Sequence, residues 1–171
     1  MLMMKDLREF KIPFVGLKEG KHEFDYRIDN TFFNLFDFDE FYSSDIRVRL
    51  DFVKKATFFE LNFIIDGTVN VDCDRSGEPF DMAIQGQYPL IVKFGDEMRE
   101  VDEELLLIPF SAYELDLSHY IYENIVLSVP LKRVNEDSQE IEIKEENMNE
   151  KNKDKGHDPR WDKLNELITG K

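Results

Sequence analysis

The sequence is poor in the residues that do chemistry: one cysteine, one tryptophan and three histidines among 171 residues. A single cysteine closes no intramolecular disulfide, so no oxidative framework holds the fold and a reducing compartment is expected. One cysteine with scattered histidines also falls short of the roughly four ligands of a structural zinc site. No stretch approaches the ~20 apolar residues of a membrane span. The opening "MLMMKDLREFKIPF" has early acids and no apolar run long enough for a signal peptide. G-x-x-x-x-G-K-[ST], G-x-G-x-x-G and G-x-S-x-G are all missing, so nucleotide binding and a serine-hydrolase elbow have no local support. Positive charge is scarce as well, with 22 basic against 37 acidic residues and a net charge of −15. That balance opposes non-specific attraction to nucleic acid or an anionic membrane and suits a basic partner. The expectation is a soluble cytoplasmic protein with no membrane partner and no cofactor.

What is present is apolar and aromatic. The 42% hydrophobic fraction, with fifteen phenylalanines, is enough for a sizeable core, and the length suits one domain with a tail. From Phe10 to about Gly95 the two-residue period of half-buried strands prevails. In "DIRVRLDF", Ile46, Val48, Leu50 and Phe52 alternate with Asp45, Arg47, Arg49 and Asp51. "FFELNFIIDGTVNVDC" sets Phe59, Leu61, Phe63 and Ile65 on one face. The dipeptide Asp66-Gly67 then reads as a turn, after which Val69, Val71 and Cys73 alternate. Cys73 thus points with two valines, as a buried thiol would. "YPLIVKFGD" and "EELLLIPF" are further strands, and "DNTFFNLFDF" supplies a short helix capped by Asp29 or Asn30.

Around Asp116 the period changes to that of a helix. Leu117, Tyr120, Ile121, Ile125 and Ser128 share one face, Asp116 is the expected N-cap, and Pro130 marks the stop. The expected fold is α+β: a predominantly antiparallel β domain over residues 8–134, with the helix at 117–129 packed on its sheet. Residues 135–157 are almost wholly polar and read as a charged disordered linker. A short amphipathic helix is expected over 158–169. Asp158 caps it, Pro159 takes the first position, and Trp161, Leu164, Leu167 and Ile168 form one face. That face is expected to dock either back on its own domain or on a partner, and on a partner Trp161 is the expected anchor, since buried aromatics dominate such interfaces.

Candidate sites are few. His22, His119 and His157 show no metal-ligand spacing, and abundant carboxylates make any chosen acid–base pair uninformative. Asp72 and Asp74 flank Cys73 and are expected to raise its pKa, against a reactive role. Lys54-Lys55 and Lys132-Arg133 are the local basic pairs for an RNA contact, although such pairs more often belong to a solvated face.

Four segments nevertheless carry a resemblance: "FKIPFVGLKEGKHEFDYRID", "GTVNVDCDRSGEPF", "ELDLSHYIYENIVLSVP" and "DPRWDKLNEL", in this order. The chain resembles the YceD family of large ribosomal RNA subunit accumulation proteins, from about Phe10 to Leu167. Many members carry Cys-x-R-C-x-x-P-F in the middle segment, and often another cysteine beyond the helix end. Here Cys73, Arg75, Pro79 and Phe80 fit that pattern. Ser76 replaces the second cysteine and no cysteine follows Pro130, so any metal or thiol pairing of relatives is not shared.

The resemblance implies a non-enzymatic factor supporting large-subunit rRNA accumulation and subunit assembly in a bacterium or plastid, and the lack of a visible transit peptide favours a bacterium. Its expected partner is a basic ribosomal protein or a pre-large-subunit particle. Partner-binding candidates are Arg75 and, in the terminal segment, Asp158, Pro159, Arg160, Trp161, Leu164 and Leu167. The competing readings are an enzyme acting on RNA or a small metabolite, with Cys73, His22 and carboxylates as its material, and a generic acidic interaction module. Sedimentation with pre-large-subunit particles separates the first reading from these two.

Overall fold

The computed structural model describes residues 7–136. Four long strands run as an antiparallel meander: β2 (Gly20–Ile28), β3 (Ser43–Lys54), β4 (Phe58–Asp72) and β5 (Pro79–Gly95), following a short β1 (Lys11–Ile12). Two more strands, β6 (Arg99–Asp102) and β7 (Leu105–Pro109), complete a sheet of order β2-β3-β4-β5-β7-β6. The chain overshoots after β5: β6 takes the outer edge, and β7 turns back into the gap, parallel to β5 and antiparallel to β6. β1 pairs with β8 (Leu115–Asp116) in a separate two-stranded ribbon that leads into helix α2 (Ser118–Ser128). A four-residue helix, α1 (Asn30–Phe33), continues as a 3-10 turn through Phe36 between β2 and β3.

The alternation read from the sequence places the core. Ile46, Val48, Leu50 and Phe52 of β3 and Phe59, Leu61, Phe63 and Ile65 of β4 are all buried. They meet Ile84, Leu90 and Val92 of β5, and Leu106 and Ile108 of β7, on one face of the sheet. That face is covered by Phe10, Ile12 and Phe14, by Phe32 and Phe33 of α1, and by Leu117, Ile121 and Ile125 around α2. Each buried side chain of this size contributes about 2–3 kcal/mol of transfer free energy. The phenylalanines also fix α2 laterally. Phe36 stacks on Tyr122 at 4.5 Å, and Tyr122 meets Phe38 edge-on at 5.7 Å. The opposite face is polar, with cross-strand pairs Arg27–Asp45 at 3.0 Å and Arg47–Asp25 at 2.9 Å. Exposed pairs of this kind set register more than they stabilise.

The mainly antiparallel α+β architecture and the packed helix agree with the sequence reading. Asp29 is the α1 cap, accepting from the Thr31 N–H at 3.1 Å. α2 begins at Ser118, and Asp116 holds its start by accepting from the Ser118 N–H at 3.0 Å and the Ser118 hydroxyl at 2.6 Å.

Asp66-Gly67 is not a turn. β4 runs unbroken from Phe58 to Asp72, with Gly67 opposite Ile46 of β3. A Cβ at Gly67 would fall against the Asp45 carbonyl oxygen and 2.6 Å from Ile46 Cα. Glycine is there for close strand approach, the other physical use of a glycine inside a strand pattern. The sequence reading also missed β6, the first half of β5 and the parallel β5–β7 pairing. Most of the linker expected over 135–157, and the helix expected over 158–169, lie outside the described residues.

Candidate partner cleft and cysteine knuckle

Cys73 opens the connection from β4 to β5. Its N–H donates to the Glu78 carbonyl at 2.9 Å, and the Gly77 N–H donates back to the Cys73 carbonyl at 2.8 Å. Gly77 has φ +71°, a left-handed conformation that costs glycine little. The tight turn buries Cys73 to 2% exposure, and the sulfur sits in a cup of donors. The Asn135 N–H lies 3.4 Å from Sγ. The Ser76 hydroxyl and the Ser76 and Arg75 backbone N–H groups also bond it, and together these hold the thiol at about 6, well below its ordinary value.

This corrects the expectation that Asp72 and Asp74 raise the pKa. The Asp72 carboxylate accepts from the Tyr42 hydroxyl at 3.0 Å, and the Asp74 carboxylate accepts from the Arg133 N–H at 2.7 Å. Both acids are engaged elsewhere, and donors in direct contact with sulfur outweigh charges acting through solvent. The same contacts tie the chain after α2 back to the turn, since the Asp74 N–H also donates to the Arg133 carbonyl at 2.7 Å. Arg133 reaches on to Glu40 at 2.9 Å. Arg75 itself is exposed on the turn.

The other sequence candidates are dispersed. His22 Nε2 lies 2.8 Å from the Lys18 carbonyl oxygen, and His119 pairs with Glu123 at 2.9 Å on α2. Lys54 donates to the Phe14 and Leu17 carbonyls, each at 2.8 Å, and Lys55 to Glu60 at 2.6 Å. With Arg133 on Glu40, three of the four cations in the two basic pairs bind within the protein. Among the described residues no group of three or more His, Cys, Asp or Glu side chains is placed to hold a metal ion. No described helix is long and apolar enough to cross a membrane. His157, Asp158, Pro159, Arg160, Trp161, Leu164 and Leu167 lie outside the described residues.

A concavity lies elsewhere, between α2 and the β6–β7 hairpin. It is a cleft of about 620 Å³ over Tyr88 and Leu90 of β5. One wall is α2, which contributes Tyr120, Tyr122, Glu123, Asn124, Val126 and Leu127. Tyr120, Glu123, Asn124 and Leu127 follow i, i+3, i+4, i+7 and share one helix face, Tyr122 and Val126 lie beyond it, and Ile121 and Ile125 are buried on the remaining side. The other wall is the run Glu100 to Glu104. Five carboxylates line the cleft, Glu100, Asp102, Glu103, Glu104 and Glu123, with no lysine or arginine among its lining residues. Leu127 is 69% exposed and Val101 47%, so the rim is apolar as well as acidic.

Two contacts tie α2 to the strands beside this cleft. The Tyr120 hydroxyl donates to Glu100 at 2.8 Å, strapping α2 to β6, and burial with the carboxylate raises the pKa of that phenol. At the far end of α2, the Ser128 hydroxyl donates to the Asn124 carbonyl at 2.7 Å, leaving its oxygen to accept from the Tyr88 hydroxyl at 3.1 Å. Gly86 makes room for that meeting: a Cβ there would press on Ser128 Oγ and come within 2.6 Å of the Tyr88 ring. Sequence reasoning missed the cleft. Its available signal was Leu127, an apolar residue off the core face of an otherwise amphipathic helix.

The family model described as large ribosomal RNA subunit accumulation protein YceD matches residues 61–168. The match takes in most of β4, the knuckle, β5 and α2, while the amino-terminal segment quoted above lies before it. No curated protein and no solved structure matches the chain. A match over more than half of the sequence, with the knuckle and the helix that ends in Ser-Val-Pro inside it, shows that the chain belongs to the YceD family of large ribosomal RNA subunit accumulation proteins.

Proposed function

We propose that the protein is a non-enzymatic factor in the bacterial cytoplasm that supports accumulation of large-subunit rRNA by binding a basic ribosomal protein or a pre-large-subunit particle. The family match carries the reading. The net charge of −15 supports protein rather than bare RNA as the direct partner, because complementary charge speeds and selects encounter with basic ribosomal proteins while repelling phosphate. The internal ion pairs of Lys55 and Arg133 support the same choice. The terminal segment with Asp158, Pro159, Arg160, Trp161, Leu164 and Leu167 is proposed as a second contact, and Arg75 on the exposed turn as a third.

Sedimentation of the tagged protein through a gradient at low salt tests the reading. The expected result is co-migration with particles ahead of the mature large subunit, and a lowered ratio of large- to small-subunit rRNA in a deletion strain. Migration only at the top of the gradient with an unchanged rRNA ratio refutes it.

A further inference from the structure

We infer that the cleft between α2 and the β6–β7 hairpin is the docking groove for a Lys/Arg-rich segment of a partner protein that interleaves cations with aliphatic side chains. The inference deepens the function proposed above and rests on it for the identity of the partner class.

The groove has an apolar floor and rim and an acidic perimeter. Tyr88 and Leu90 underlie it, Leu127 and Val101 stand exposed at its sides, and five carboxylates line it with no lysine or arginine among the lining residues. An apolar groove of this size suits the side chains of a short segment rather than a folded surface. Its charge selects which segment. Phosphate-bearing partners meet only repulsion here, and an acidic segment fares no better. A basic one gains from carboxylates already fixed in place: Asp102 is oriented by the Glu104 N–H at 2.9 Å, and Glu100 by Tyr120. Glu103 and Glu104, at the hairpin tip, are the exposed pair a cation meets first.

β6 adds a reason for an extended occupant. It is the terminal strand of the sheet among the described residues. Among the described residues it pairs only with β7, all four of its residues are exposed, and Glu100, Val101 and Asp102 line the groove. Acidic side chains there keep the edge from pairing indiscriminately while leaving it open to a basic strand.

The test is fluorescence anisotropy of the full chain with a labelled synthetic peptide of about twelve residues alternating Arg or Lys with Leu, a length typical of groove-bound segments. Saturable binding is expected, weakened roughly tenfold by Glu103→Lys with Glu104→Lys and severalfold by Leu127→Ala. The charge-matched control Glu19→Lys with Glu97→Lys, at exposed positions outside the groove, is expected to change binding by less than about twofold. Circular dichroism melts confirm that all variants are folded. Equal losses in control and groove variants, or full affinity in Leu127→Ala, show attraction by net charge alone and overturn the inference. Displacement of the labelled peptide by a synthetic copy of residues 157–171 assigns the groove to the chain's own terminus and also overturns it. Particle association that survives the groove variants refutes the groove while leaving the proposed function standing. Peptide binding without any particle association refutes the function and leaves the groove.

Discussion

Replacing Gly67 by alanine adds a single methyl group, and its effect separates a close strand approach from a turn. The new Cβ would sit 2.6 Å from Ile46 Cα and nearer still to the Asp45 carbonyl oxygen. Non-bonded carbons settle at about 3.5–4.0 Å, so β3 and β4 must part locally by close to 1 Å. Backbone atoms, unlike side-chain tips, cannot rotate away. A ladder hydrogen bond near 2.9 Å does not survive that stretch, and loss of two costs about 2 kcal/mol. Loosened packing around Ile46, Ile65 and Val69 adds roughly 1 kcal/mol, partly offset by about 0.5 kcal/mol from the stiffer unfolded chain. The net expectation is a loss of about 2–3 kcal/mol, or roughly 6–10 °C in Tm for a domain of this size. Gly16→Ala is the control, because a Cβ there meets nothing within 4 Å. Thermal melts of both variants decide the matter. If Gly67→Ala melts within about 2 °C of Gly16→Ala, the close-approach argument is wrong.

Absorbance of the thiolate near 240 nm is expected to titrate with a midpoint of about 6 in the folded protein, and near the ordinary cysteine value in denaturant; a folded midpoint at or above ~8 refutes the donor cup. Because the folded pKa lies below the unfolded one, the stability this thiolate contributes is full above the unfolded value and is lost as pH falls through about 6. The stability gap between wild type and Cys73→Ala is therefore expected to widen as pH rises between those two values. Gly86→Ala is expected to cost about 1–3 kcal/mol by crowding Ser128 and Tyr88. In a Ser128→Ala background that cost is expected to fall, and strict additivity in urea melts counts against the contact. Asp29→Ala removes the α1 cap and is expected to cost about 1 kcal/mol, with no change showing that the phenylalanines alone hold the segment.

The parts of the fold that were legible are those where a residue's environment follows from its immediate neighbours. β3 is the clearest case: four apolar residues alternating with four charged ones can satisfy only a half-buried strand, and Ile46 to Phe52 are buried accordingly. α2 was legible for the same reason at the helical period. Gly67 was misread because Asp-Gly supplies the same local signal in a hairpin turn and in a strand that must approach its neighbour closely. Only the position of Asp45, far away in sequence, distinguishes the two. β6 carries no alternation at all, since all four of its residues are exposed, and its place depends on β7 inserting beside β5. The cleft was invisible for that reason. It exists because the overshoot of β6 brings five acidic or apolar residues across from α2. The thiol failed differently: sequence shows the sign of neighbouring charges, not the direction of N–H bonds, and one of the donors, Asn135, is contributed from 62 positions along the chain.

The knuckle is held by hydrogen bonds at the positions where the family resemblance implies further cysteines. The family resemblance implies cysteines at the position of Ser76 and after the helix end, and the fold brings those two places together on Cys73. Here the segment beyond Pro130 reaches the turn through three hydrogen bonds: Asp74 N–H to the Arg133 carbonyl, Arg133 N–H to the Asp74 carboxylate, and Asn135 N–H to sulfur. Neutral bonds contribute about 1 kcal/mol each and those to charged acceptors roughly twice that. Such a set can hold a short segment against the entropy of a few ordered residues, at about 1–2 kcal/mol per residue, without any cross-link. The depressed thiol pKa follows from the same arrangement. Donors placed around a sulfur stabilise its anion whether or not a metal neutralises it, so this turn favours a thiolate at Cys73 with serine, not cysteine, at position 76.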